Sequence, residues 1–179
     1  MDRLKVVEKV GAEVVHKKPD LQLKGRFKVE QIRDGKVIDT REVDNLIMNG
    51  GKNKLLDIMF NADTQITAWY MGLVDNASFT AFAAGDIMSS HAGWIENEDY
   101  SESVRQTWDP GAASGQSITN GTAAVFSINA DSKTIKGIFI TSVDTKGGTT
   151  GTLWNGVAFG TSLALNDGDQ LKVTYTLSA

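Results

Sequence analysis

The sequence predicts an all-β protein: a single antiparallel β-sandwich, jelly-roll-like, with an N-terminal arm, a projecting β-hairpin and one short helix. Three observations lead there. The C-terminal half holds four apolar or alternating stretches, 123–128, 134–143, 152–159 and 170–177, parted by the turn clusters Asn129-Ala130-Asp131-Ser132, Lys146-Gly147-Gly148-Thr149 and Asn166-Asp167-Gly168-Asp169. Glycine outnumbers proline 18 to 2, the balance of a chain with many tight turns and strand irregularities. The last stretch alternates without a break, placing Leu171, Val173, Tyr175 and Leu177 on one face and Lys172, Thr174, Thr176 and Ser178 on the other.

Residues 1–24 form the expected arm. Leu4, Val7 and Val14 fit a helical stripe only if Gly11 is excused, whereas Val6-Val7 and Val14-Val15 prefer extended backbone, and Pro19 breaks whatever precedes it. A segment of this kind buries little by itself, so it is expected to be loosely held in the free protein and ordered against a neighbour on assembly.

The sandwich domain covers 25–179. Its first element is a hairpin over 24–43, in which Gly25-to-Ile32 and Lys36-to-Val43 flank Arg33-Asp34-Gly35; the Asp-Gly pair supplies the positive φ angles that a tight turn needs. Arg26, Lys28 and Glu30 alternate with Phe27, Val29 and Gln31, leaving a thin apolar stripe. A hairpin this charged either projects from the body or lies on an edge, where charge discourages unwanted strand pairing. After Asn49-Gly50-Gly51, the segment 52–60 sets Leu55, Leu56, Met59 and Phe60 on one side of a short helix that packs across one end of the sandwich and stops at Asn61. A strand follows at 66–73. Residues 77–93 then have no clear period, and loops of that length in compact domains are usually functional or part of an interface. Ile135-to-Ile140 is apolar on both faces apart from Lys136, as a strand covered on both sides would be.

Composition narrows the function classes. Among 179 residues there is no Cys, which removes disulfides and thiolate metal sites and fits a reducing cytoplasm. No export signal is visible after Met1-Asp2-Arg3-Leu4-Lys5, and no apolar run is long enough to cross a bilayer, so no membrane partner is expected. Net charge is −4, but residues 1–54 hold 13 Lys+Arg against 9 Asp+Glu while 55–179 hold 5 against 13. A basic first third on an acidic body reads as a docking segment, with Arg3, Lys5, Lys9, Lys17, Lys18, Lys24, Arg26 and Lys28 as the candidate assembly interface. Nucleic acid is not an expected partner: the basic third has no aromatic interleaving and no Gly-rich phosphate cradle.

Catalytic and metal chemistry find little support. Asp86, His91, Glu96, Glu98, Asp99 and Glu102 make the one dense polar constellation, yet it has no HxH or HxxxH pair and lacks the spacing of a calcium loop. Adjacent acids such as Glu96/Glu98 or Glu98/Asp99 do not by themselves make a glycosidase pair, and no Gly-x-Ser-x-Gly is present for a serine hydrolase. No catalytic, metal or cofactor residue is assigned. Trp69, Tyr70, Trp94, Tyr100, Trp108 and Trp154 could make a sugar-stacking platform, but aromatics in strands usually belong to the core, and at least four of the six are expected to be buried.

The stretch Ser89-Ser90-His91-Ala92-Gly93-Trp94-Ile95-Glu96, followed by Tyr100, Arg105 and Trp108, resembles a family of small virion structural proteins of tailed bacteriophages. Trp69-Tyr70-Met71-Gly72-Leu73 and Gly168-Asp169-Gln170-Leu171-Lys172-Val173-Thr174-Tyr175-Thr176 share the resemblance, which spans 22–179. It implies a non-enzymatic virion protein, made in the bacterial host cytoplasm, with His91, Gly93, Trp94, Glu96, Tyr100 and Arg105 as structural markers. The compact size and basic N-terminal third favour a homo-oligomeric capsid decoration or cement protein whose partner is the major capsid protein. A tail, baseplate or fibre-associated adaptor bound to tail proteins is the alternative, and a carbohydrate-binding module is a third.

Overall fold

A computed structural model describes residues 22–179. They form β1 (Lys24–Arg33), β2 (Lys36–Asp44), β3 (Leu46–Ile47), α1 (Asn49–Phe60), β4 (Trp69–Asp75), β5 (Glu96–Asn97), β6 (Gln106–Pro110), β7 (Ser117–Thr122), β8 (Ala124–Ser127), β9 (Lys133–Thr141), β10 (Leu153–Leu165) and β11 (Gln170–Ser178). The described residues are all-β with one short helix. Every strand pairing is antiparallel, in the order β2-β1-β11-β7-β6-β4-β9-β10-β3, with β5 beside β4 and β8 beside β11. The two ends of this path, β2 and β3, are consecutive in the chain, so the sheet curls almost closed. Arg41 of β2 reaches across the remaining gap, lying over the Phe159 ring of β10 at 5.6 Å and donating to the Thr161 carbonyl.

The interior follows the alternation of the strands. Leu171, Val173 and Tyr175 of β11 are wholly buried, as the unbroken period of that strand requires. Opposite them, Phe27 and Val29 of β1 fill the same core, Phe27 pairing with Tyr175 in register and in ring contact at 4.6 Å. Strand β9 is covered on both faces: Ile135, Ile138 and Ile140 enter the main core, while Phe139 points outward into a second cluster with Met48, Val74, Met88, Trp94 and Leu153. That second core explains the aperiodic 77–93 segment. It lies over the outer face of β4 and β9, and its Phe79, Phe82 and Met88 pack on the cluster.

Asp34 and Gly35 both take positive φ, 51° and 73°, so the hairpin turn has the geometry that the Asp-Gly pair predicts. The hairpin does not project, however. β1 pairs with β11 from Lys24↔Ser178 to Ile32↔Gln170 and is built into the sheet, because Phe27, Val29 and Gln31 supply one fully buried face; β2 alone forms the edge. This is the edge arrangement, and the charges of β1 lie on the outer face.

The helix also differs from expectation. It begins at Asn49, three residues earlier than expected, and approaches the sheet through its first turn, where Gly51 is buried against Trp154. Of the four residues expected to pack, only Leu55 is half-buried; Leu56, Met59 and Phe60 are 55%, 64% and 82% exposed. Leu55, Leu56, Ile58, Met59 and Phe60 together wrap too far around a helix for one surface to cover, since a packed stripe is roughly 100° wide. Asn61 does cap the helix, its N–H donating to the Asp57 carbonyl at 2.9 Å, and a Lys54–Asp63 ion pair at 2.6 Å fixes the turn beyond.

Candidate functional site

Five of the marker residues, His91, Gly93, Trp94, Glu96 and Arg105, gather over the outer face of the sheet, while Tyr100 enters the main core, and the chemistry of the outer group is that of a clamp. Arg105 is fully buried and grips Glu96 with both ends of its fork, Nε to Oε1 at 2.9 Å and Nη2 to Oε2 at 2.6 Å. The same guanidinium donates to the Val143 carbonyl at 2.8 Å and the Gly148 carbonyl at 2.9 Å, and lies over the Phe139 ring at 5.2 Å. Glu96 in turn accepts from the Gly147 N–H at 2.8 Å. One ion pair therefore fastens the start of β5, the approach to β6 and the 145–148 turn to each other.

Trp94 is the second anchor. Its indole donates to the Asp86 carboxylate at 3.0 Å, its ring packs on Phe82 and Phe139, and His91 stacks on it at 3.8 Å with 13° between the planes. Gly93 lies so close to the Ala81 carbonyl that any Cβ would collide with it, which is why the marker segment has glycine there. Tyr100 sits edge-on to Phe126 with Lys146 above its ring at 3.8 Å, and burial beside Glu96 pushes its phenol up. Arg105 bonds Glu96, and His91 Nδ1 lies 3.1 Å from the Trp94 carbonyl, whereas Gly93 and Tyr100 are held by close packing; His91 and Glu96 stand at the edge of a shallow depression. Among the described residues no three His, Asp or Glu side chains converge as a metal site would require.

The candidate interface divides. Arg3, Lys5, Lys9, Lys17 and Lys18 lie outside the described residues. Lys24, Arg26 and Lys28 lie on the outer face of β1, where Arg26 meets Asp44 at 2.7 Å and Glu42 at 3.5 Å, and Lys28 meets Glu30 at 2.7 Å. Glu30 also faces Lys172 of β11 at 3.9 Å, so the face is a cross-strand ladder of alternating sign rather than a basic patch.

An apolar groove of about 260 Å³ lies at the end of the barrel, beneath α1. Leu55, Ile58 and Met59 line the helix side, and Trp69, Trp108, Trp154 and Leu177 the barrel side. Trp69 and Trp154 are in ring contact at 5.9 Å, while Trp154 donates its indole N–H to the Tyr175 hydroxyl at 3.1 Å. Trp94, Trp108 and Trp154 are 2%, 7% and 6% exposed, and Tyr100 is buried, so four of the six candidate platform aromatics belong to the core.

No family model matches this chain, and no curated protein matches it. Its own residues therefore carry the functional argument. The groove escaped sequence reasoning because its walls come from residues as distant as 51, 69, 108, 154 and 177. The over-wide apolar run of α1 was the available hint.

Proposed function

We propose that this chain is a non-enzymatic structural protein of a tailed-phage virion, and that it decorates the head shell by docking on the major capsid protein. The observation that carries this reading is the uncovered outer side of α1: Leu56 and Phe60 stand in solvent, away from the groove, on a helix held to a rigid barrel. Exposed apolar side chains of this size on an ordered element mark contact surfaces. Support also comes from the resemblance, since its marker residues are spent on fixing the scaffold. With Arg26 and Lys28 already engaged by Asp44, Glu42 and Glu30, the hairpin offers little free positive charge, and α1 becomes the principal contact.

The test is co-sedimentation of the full chain with head shells lacking this protein, compared with the variants Leu56→Asp and Phe60→Asp. Both sites are exposed, so melting temperatures are expected to be unchanged while shell affinity falls at least tenfold, equivalent to about 1.4 kcal/mol. Undiminished binding by both variants would overturn the assigned surface. Sedimentation with tails and not with shells would overturn the decoration role in favour of a tail adaptor.

A further inference from the structure

We propose that the groove beneath α1 is filled by this chain's own N-terminal segment, with apolar side chains between Leu4 and Val15 covering the tryptophan-lined wall. Three observations converge. The groove is apolar and is not filled by any described residue, although Trp108 and Trp154 at its base are almost wholly buried. The described chain starts beside it: Leu23 packs on the main core, and Gly25 is the register partner of Leu177, which lines the groove. Strand spacing puts that partner about 5 Å away. The preceding residues carry an apolar set of suitable size, Leu4, Val6, Val7, Val10, Val14 and Val15, followed by seven residues, 16–22, before Leu23.

Those seven residues span about 15 to 23 Å, coiled or extended, comparable to the roughly 18 Å length of a helix such as α1. A tether of that length holds the segment at an effective concentration of about millimolar beside its own groove. The arm of a second copy competes only when the protein itself approaches that concentration. The occupant is therefore the same chain, whichever partner meets the outer side of the helix.

The absence of cysteine gives a direct test. Full-length protein carries Met59→Cys, an exposed position on the groove rim, paired in turn with Leu4→Cys, Val7→Cys, Val10→Cys or Val14→Cys. The control pairs the same arm positions with Val37→Cys, exposed at the hairpin. Under mild oxidation in dilute solution, at least one arm position is expected to form an intramolecular disulfide with position 59 at least ten times faster than with position 37, at a rate independent of protein concentration. Equal rates at the two positions would show that the arm does not dock there. Disulfide-linked dimers whose rate grows with concentration would show that the groove takes a second copy's arm, and either result overturns the proposal.

Discussion

Replacing Glu96 by Gln tests whether the marker constellation is a structural clamp. Arg105 has no exposed side-chain surface and Glu96 only 8%, so the substitution leaves a guanidinium buried with its counter-charge gone. In either orientation the new amide also turns an N–H toward the Arg105 fork, and in one of the two it deprives the Gly147 N–H of its acceptor as well. Breaking a buried pair from one side costs about 3 to 5 kcal/mol. A domain of this size is stable by about 5 to 15 kcal/mol, so about a fifth or more of its stability is at stake. At about 2 to 4 °C per kcal/mol, the melting temperature falls by roughly 6 to 20 °C. Urea is the denaturant of choice, because the ionic strength of guanidinium chloride would screen the fold's exposed ion pairs and blur the comparison. Arg105→Met should cost a similar amount, since it strands the carboxylate. The double variant Glu96→Gln/Arg105→Met should lose clearly less than the sum of the two single changes, because neither charge is then left buried alone. Single losses below about 1 kcal/mol, or strict additivity, would refute the clamp.

Two further perturbations address other parts of the fold. Asp169 is buried where it accepts both arms of the Arg33 fork, at 2.7 and 2.6 Å, together with Gln31 and the Asn166 N–H; the Arg33 bonds first, then these, hold its carboxyl below the ordinary range. A folded-state pKa depressed below the unfolded value of about 3.9 stabilises the protein above that value, and the contribution is lost as pH falls toward the folded pKa. Asp169→Asn should therefore cost about 1 to 3 kcal/mol at pH 7, with the gap to the wild type narrowing below about pH 4; a gap that stays constant in urea titrations down to pH 3 would contradict this. Gly93→Ala drives a methyl into the Ala81 carbonyl and should cost about 1 to 3 kcal/mol, chiefly by loosening the 77–93 cover. Faster amide exchange confined to that segment is the expected signature, and unchanged exchange there would count against the packing of the second core.

Legibility in the sequence tracked how far each element's burial was decided by its own neighbours. β11 and β9 could be read directly, because one or both faces of each strand are covered along the whole length and the side-chain pattern records it. β6 and β7 could not. Gln106–Pro110 and Ser117–Thr122 are mostly exposed, so no alternation marks them as strands; their places are fixed by pairing with β4 and β11. β10 runs on to Leu165 past its expected end at Phe159, since the register shift between Ala158 and Leu163 restarts the alternation. Glu96 stands in the polar constellation and Arg105 among the structural markers, but no local pattern pairs them, and the turn at 145–148, far away in sequence, completes their site.

How the fold treats its own apolar surface argues for where contact occurs. The outer face of β4 and β9, which a bare sheet would expose, is covered by 76–95 and pinned there by Trp94 and the Arg105–Glu96 pair. The free edge β2 is guarded by Asp39, Arg41, Glu42 and Asp44, charges that discourage another strand from adding to it. Such devices protect the folded body from indiscriminate association. Val37 and Ile38 of β2 are about half exposed as well, but Phe60 is the most exposed large apolar side chain: α1 is anchored by its glycine-containing first turn while Leu56 and Phe60 face solvent on the side away from the groove. Burying those two side chains would gain at most about 1.5 to 3 kcal/mol each, a contribution to holding a partner once it arrives. Covering the groove beside them with the chain's own arm would limit the exposed apolar surface to the part that a partner needs.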